Sequence, residues 1–138
     1  AKIVPIVIGH IVDFERFAKH LVETIDASGK KVVLIASSDF THYGINYSFV
    51  PFEDDVKNKL EKLDKGAIKF IEKLDAWSFL NYIEETGATI CGAKAIACVV
   101  EACKLLKAKE VKLLKYYTSG DITNDYGNCV GYGGLVIE

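Results

Sequence analysis

The stretch Lys31–Gly44, KVVLIASSDFTHYG, does most to limit what this chain can fold into. Val32, Val33, Leu34 and Ile35 form an unbroken, mostly β-branched apolar run. A run that short, without polar alternation, predicts a strand covered on both faces. It passes into Ala36-Ser37-Ser38-Asp39, where the side chains become small and polar, and leaves as a loop through Phe40, Thr41, His42, Tyr43 and Gly44. In open α/β sheets, ligands sit beyond the carboxyl ends of the strands. That rule gathers a carboxylate, several hydroxyls and an imidazole at one such end. Histidine titrates near neutral pH and serves as base, acid or metal ligand. The structural alternative is a polar turn capped by Ser38 and Asp39, with His42 half-buried.

The rest of the chain is ordered around this stretch. Ile3–Ile8 is expected to be a first strand, with Pro5 marking an edge or a bulge. Gly9-His10 is expected to turn, and His10 is assigned to that turn rather than to a ligand set. Asp13 can cap a helix in which Phe14, Phe17, Leu21 and Ile25 share a face, leaving His20 on the polar side. A strand, a helix and the Val32–Ile35 strand make a β-α-β unit, which implies parallel strands and a right-handed crossover.

Ile45–Phe52, broken by Pro51, is expected to be an ordered loop over the site. A long helix over about Asp54–Leu74 follows, with Val56, Leu60, Leu63, Ala67, Phe70 and Leu74 inward. The same spacing is a heptad pattern, but it falls short of the ~3–4 heptads of a coiled coil. Asp75 caps a shorter helix with Trp77, Leu80 and Ile83 on one face, and Gly87 stops it. A helix over Ala93–Lys107 turns Ile96, Val100, Cys103 and Leu106 inward. Val111–Tyr117 is a third strand, Thr118–Asn128 a polar loop, and Cys129–Ile137 a glycine-rich last strand suited to an edge.

Composition removes several function classes. Half the residues are hydrophobic, so a core is expected, and 138 residues suit one domain of ordinary size. The net charge of -2 gives no nucleic-acid or anionic-membrane footprint. No apolar run approaches the ~18 residues of a membrane span, and no signal peptide is evident. These features fit a cytoplasmic protein. The chain contains no methionine and opens inside an apolar run. It is therefore expected to be a piece cut from a longer protein, or its later part.

The four cysteines are Cys91, Cys98, Cys103 and Cys129, none spaced as CxxC, so a structural zinc knuckle is not expected. Cys98 and Cys103 are expected to be buried free thiols. Cys91 precedes Gly92 at a helix start, where partial positive charge and free N–H groups favour a thiolate. Such a sulfur is a nucleophile or a metal ligand, and a buried structural cysteine is the plainer alternative. With His42 it suggests either a Cys–His nucleophile pair or a metal site completed from elsewhere. Thr118-Ser119-Gly120-Asp121 either lines the same pocket or is a solvated turn.

Ser37-Ser38-Asp39-Phe40-Thr41-His42-Tyr43-Gly44, Thr89-Ile90-Cys91-Gly92, Tyr117-Thr118-Ser119-Gly120-Asp121-Ile122-Thr123 and Val130-Gly131-Tyr132 together resemble the Memo family. Ile3-Val4-Pro5-Ile6 and Leu63-Asp64-Lys65-Gly66 extend the match over essentially the whole chain, in the order of the carboxyl-terminal half of archaeal and bacterial members. The resemblance implies a fold related to the class III extradiol dioxygenases, which are non-haem iron enzymes. It implies that Cys91 is a metal ligand joined by two histidines from an amino-terminal half. It implies that His42 is a proton-transfer residue beside the metal, and that Asp39 orients it. Those amino-terminal histidine motifs do not occur in this sequence. Ala93-Lys94-Ala95 also replaces the Arg-His-Pro type of continuation that follows TICG in many members.

The expectation is therefore a single α/β unit over residues 1–138, with a mostly parallel sheet and helices on both faces, about half of a Memo-like fold. Its function is expected to be that of a Memo-like, redox-active, iron- or copper-binding protein related to non-haem oxidoreductases. The missing amino-terminal half and a small-molecule or peptide ligand are its expected partners. A metal-independent peptide or small-ligand binding module and a Cys91–His42 hydrolase or transferase stay open beside it.

Overall fold

A computed structural model describes residues 2–9 and 12–138, so the turn expected at His10 lies outside the described residues. The elements are helix α1 (Phe14–Ser28), strand β1 (His42–Gly44), helix α2 (Val56–Glu72), helix α3 (Ala76–Thr86), helix α4 (Ala93–Leu105), strand β2 (Val111–Thr118), helix α5 (Ser119–Thr123) and strand β3 (Asn128–Ile137). A single 3-10 turn, Ile45–Tyr47, follows β1.

The helix ends are where local chemistry places them. The Asp13 carboxylate accepts from Arg16 N at 3.0 Å and starts α1. Asp75 accepts from Ser78 N at 2.9 Å and starts α3. Gly29 and Gly87 close those helices with φ of 61° and 69°, the left-handed cap that glycine adopts without a Cβ penalty. Phe14 and Ala18 form the buried stripe of α1, and His20 is exposed. On α3 the buried face is Ala76 and Phe79, whereas Trp77 is 55% exposed. The Trp77 indole instead rests edge-on against Phe14 and donates to Glu15.

The class is α/β, but the sheet is not parallel. Its three strands run in the order β1-β3-β2, and both pairings are antiparallel. Two expected strands are absent from it. Neither Ile3–Ile8 nor Val32–Ile35 forms a ladder, and no backbone hydrogen bond joins Val32–Ser38 to another described residue. Ile3, Val4 and Val7 are largely exposed, as are Val33 and Ile35. Leu34, Ala36, Ser38 and Phe40 turn inward alternately with them. The central segment is thus extended, with period-2 burial, but covered on one face only. The β-α-β crossover fails with it, because a crossover needs two paired parallel strands.

β3 is the middle strand, not an edge. Its glycines make room for neighbours. A Cβ on Gly133 would meet the Phe40 ring at 2.5 Å, and one on Gly131 would overlap the Asp64 carboxylate. The expected polar loop after β2 contains α5, capped by Thr118 and Asp121 in a reciprocal box.

The main core gathers Phe14, Phe40, Ile68, Phe79, Ile96 and Val100. On α2 the buried stripe is Leu60, Asp64, Ala67, Ile68 and Ile71, rotated from the expected one toward Ile68 and Ile71. Asp64 is fully buried. It accepts from Thr41 N at 3.1 Å and from the Tyr116 hydroxyl at 2.7 Å, tying α2 to the start of β1 and to β2. Burial raises its pKa, opposed by those same hydrogen bonds. Cys98 and Cys129 are buried free thiols, but Cys103 is only partly buried, because it faces the open side of the Val32–Ala36 segment.

Candidate metal centre

The SSDFTHYG and TICG segments meet. Thr41 and Ile90 form an isolated antiparallel bridge. One residue on, the Thr89 hydroxyl accepts from His42 N at 2.9 Å and donates to His42 O at 2.6 Å. This two-way clamp fixes the His42 backbone. On the other side, Gly92 N donates to Ser38 Oγ at 2.8 Å. A Cβ at Gly92 would lie 2.5 Å from Ser38 Cβ, so glycine here allows the two segments to close. Gly44, with φ of 126°, lets β1 turn sharply against Asn128.

These contacts bring Asp39, His42 and Cys91 together. One ligand atom from each lies within 4.8 Å of the others. Cys91 is exposed and stands just before α4. Asp39 N points at its sulfur at 3.3 Å, and Ser38 Oγ lies 3.7 Å away. His42 Nε2 is 3.6 Å from Asp39 Oδ2, too far for a hydrogen bond. That nitrogen is buried and has no hydrogen-bond partner among the described residues. The Tyr47 ring lies 5.1 Å from the imidazole, centre to centre, so the expected loop does cover the site. Tyr132 is close enough to Asp39 to feel its charge. Burial raises its pKa, and the Asp39 carboxylate adds to the effect.

An unpartnered buried imidazole nitrogen, a carboxylate oxygen and a thiol sulfur suit a metal ion. They set donors of mixed hardness side by side, of which the thiol sulfur is the one a borderline or softer metal prefers, with further ligands needed from elsewhere. Thr89 and Tyr132 lie in motifs that carry the family resemblance, but that Thr89 would clamp His42 and that Tyr132 would lie by Asp39 could not be read before the segments are brought together. Asp121 does not join the group. Lys57, Thr118 and Tyr126 hydrogen-bond its carboxylate and hold its pKa well below the usual range. The turn caps α5, with Asp121 exposed but Thr118 and Gly120 buried, so it is neither part of this group nor a fully solvated turn.

The profile of the Memo-like protein family matches residues 1–136. A MEMO1 family protein of Desulfurococcus amylolyticus is 41% identical over 136 residues, covering 97% of this chain and 44% of that protein. A MEMO1 family protein of Thermococcus kodakarensis is 35% identical over 144 residues, 99% of this chain and 49% of its own length. One from Methanococcus vannielii is 39% identical over 109 residues, 79% of this chain and 34% of the relative. The chain thus spans at most about half the length of these relatives.

Proposed function

The chain belongs to the Memo family, and on that premise we propose that it supplies one wall of a redox-active non-haem metal centre for iron or copper. The observation that carries the proposal is the convergence of Asp39, His42 and Cys91 around a buried imidazole nitrogen that has no partner. Cys91 is the sulfur ligand. His42 stands beside it to move a proton, and Asp39, on the same side as Nε2, orients the ring. A bound ion supplies Lewis acidity and, for iron or copper, electron transfer. The remaining ligands come from the part of a Memo-family polypeptide outside the span this chain covers. The resemblance assigns them to two histidines of the amino-terminal half.

The test is a titration of Fe(II) and Cu(II), under anaerobic conditions for iron, against the chain co-expressed with the portion of the Desulfurococcus relative outside the matched span, as wild type and as the Cys91→Ser and His42→Ala variants. The proposal expects loss of metal from Cys91→Ser, and retention of metal by His42→Ala with altered proton uptake. Equal metal binding by the wild type and Cys91→Ser would overturn it. The hydrolase or transferase reading is less well supported, because the Cys91 sulfur is engaged by Asp39 N, Asp39 O and Ser38 Oγ, and no hydrogen bond joins it to His42. Covalent trapping of Cys91 by an acyl electrophile would revive it.

A further inference from the structure

Asp64 stands where the pattern of α2 calls for an apolar side chain, between Leu60 and Ile68 on the buried stripe. It is fully buried, and none of the ion pairs among the described residues includes it. A carboxylate so placed costs stability unless hydrogen bonds compensate it, and a well-packed apolar side chain is often at least as stable. Stability alone therefore gives no reason for an acid at this position. Its hydrogen bonds give one, because of what they hold.

Asp64 Oδ1 accepts from Thr41 N at 3.1 Å, and Oδ2 accepts from the Tyr116 hydroxyl at 2.7 Å. β3 takes the Thr41 carbonyl through Gly131 N at 3.0 Å and leaves the Thr41 N–H to α2. The missing Cβ of Gly131 is what allows the carboxylate this close, since a methyl there would overlap Oδ2. One residue on, the Thr89 hydroxyl holds His42 N at 2.9 Å and His42 O at 2.6 Å. Consecutive residues of an extended chain turn to opposite sides. Asp64 can thus anchor the chain from the core while the imidazole stands beside Asp39 and Tyr47.

We propose that Asp64 is a positioning residue for His42, held in place by Tyr116 and acting through the Thr41 backbone N–H. The proposal deepens the metal-centre reading and rests on it for what the imidazole does. Asp64 touches neither His42 nor Cys91. Its part is to fix the chain one residue before the imidazole, so that the ring keeps one place against Asp39 and Tyr47.

The test observes the His42 ring by NMR of metal-free protein labelled at histidine, tyrosine and threonine. The chain is co-expressed with the portion of the Desulfurococcus relative outside the matched span. His42→Ala identifies the signal. The wild type is expected to show one His42 ring signal, a nuclear Overhauser contact to the Tyr47 ring, and a slowly exchanging Thr41 amide. Asp64→Asn keeps an acceptor for Thr41 N and a donor for the Tyr116 oxygen, so it should keep all three. Asp64→Leu should lose the contact to Tyr47 and speed Thr41 exchange by at least ~tenfold. Tyr116→Phe leaves the carboxylate in place but frees one of its oxygens. It should shift the His42 signal and speed Thr41 exchange less than Asp64→Leu does, and it decides the matter alone where Asp64→Leu does not fold. Asp75→Ala destabilises through the α3 cap and should leave the His42 signal unmoved. An unmoved His42 signal in Tyr116→Phe, loss of the Tyr47 contact in Asp64→Asn, or loss of it in Asp75→Ala would each overturn the proposal. Iron and copper are titrated onto the same proteins. Metal binding by a protein whose His42 ignores these changes would sink this proposal and leave the metal reading standing. A responsive His42 in a protein that takes up neither metal would do the reverse.

Discussion

Gly131→Ala should be far more damaging than Gly134→Ala, three residues further along the same strand. Gly131 lies against the buried Asp64 carboxylate. An added methyl would overlap Asp64 Oδ2 and lie 3.2 Å from its Cγ and 3.1 Å from the Tyr116 hydroxyl. The carboxylate cannot swing away freely, because Thr41 N and Tyr116 hold it and it is fully buried. Moving it breaks at least the Tyr116 bond. A hydrogen bond to a charged group contributes about 1.5–3 kcal/mol, and an unsatisfied buried partner costs about 1–3 kcal/mol. The reduced freedom of the unfolded chain returns roughly 0.4–1 kcal/mol. The net loss is about 1.5–5.5 kcal/mol. At Gly134 no described residue lies within 4 Å of an added Cβ, so alanine there should be neutral or slightly stabilising.

Urea unfolding of both variants, in the same form of the protein, measures the difference. With a slope of ~1–3 kcal/mol/M, Gly131→Ala should lower the midpoint by on the order of 1 M or more. Asp64→Ala removes the obstructing oxygen, so the double variant Asp64→Ala/Gly131→Ala should cost less than the sum of the singles, by at least ~1 kcal/mol. Equal midpoints for Gly131→Ala and Gly134→Ala, or strict additivity in the cycle, would refute the steric account.

Thiol labelling of the chain alone at pH 8 should proceed in the order of exposure, with Cys91 first, Cys103 next and Cys98 and Cys129 last. Burial, reinforced by Asp125, Asp121 and Asp64, pushes the Cys129 thiol up to about 11, and modification of Cys129 ahead of Cys103 would contradict the packing. Asp75→Ala should cost about 1 kcal/mol at pH 7 through loss of the α3 cap. The Ser78 hydroxyl and N–H hold the folded-state pKa of Asp75 below its ordinary value. Its contribution is therefore present above the unfolded value near ~3.9 and fades as pH falls through the lower folded one. Urea midpoints of wild type and Asp75→Ala that fail to converge toward pH 3 would count against this.

What could be read from the sequence was what neighbouring residues decide. Asp13 and Asp75 announce helix starts, and Gly29 and Gly87 announce stops, because each acts on backbone groups within four residues of itself. The site segments were legible for a related reason, since their reactive side chains cluster within short motifs. Pairing was not legible. The Val32–Ile35 pattern describes an environment with neighbours on both edges and cover on both faces, and among the described residues it has cover on one face alone. The pattern and the burial disagree only if these residues make all their contacts within the span of this chain.

Asp64 carried a signal of a different kind. It falls between Leu60 and Ile68 on the apolar stripe of α2, a place where a carboxylate needs partners. The partners are Thr41 and Tyr116, 23 and 52 residues away, and no periodicity points to them. The β3 glycines misled for the same reason. Taken alone, Gly131 and Gly133 weaken a strand and suggest an edge. Set against Asp64 and Phe40, they are the gaps that let a buried carboxylate and an aromatic ring approach the middle strand. The Asp64 bond to Thr41 N and the Thr89 clamp on His42 act on consecutive residues, one from the core side and one from the TICG segment. The position of the imidazole is thus set by a buried polar network as much as by its own motif. Packing defects at Gly131 should therefore reach the His42 imidazole through Thr41.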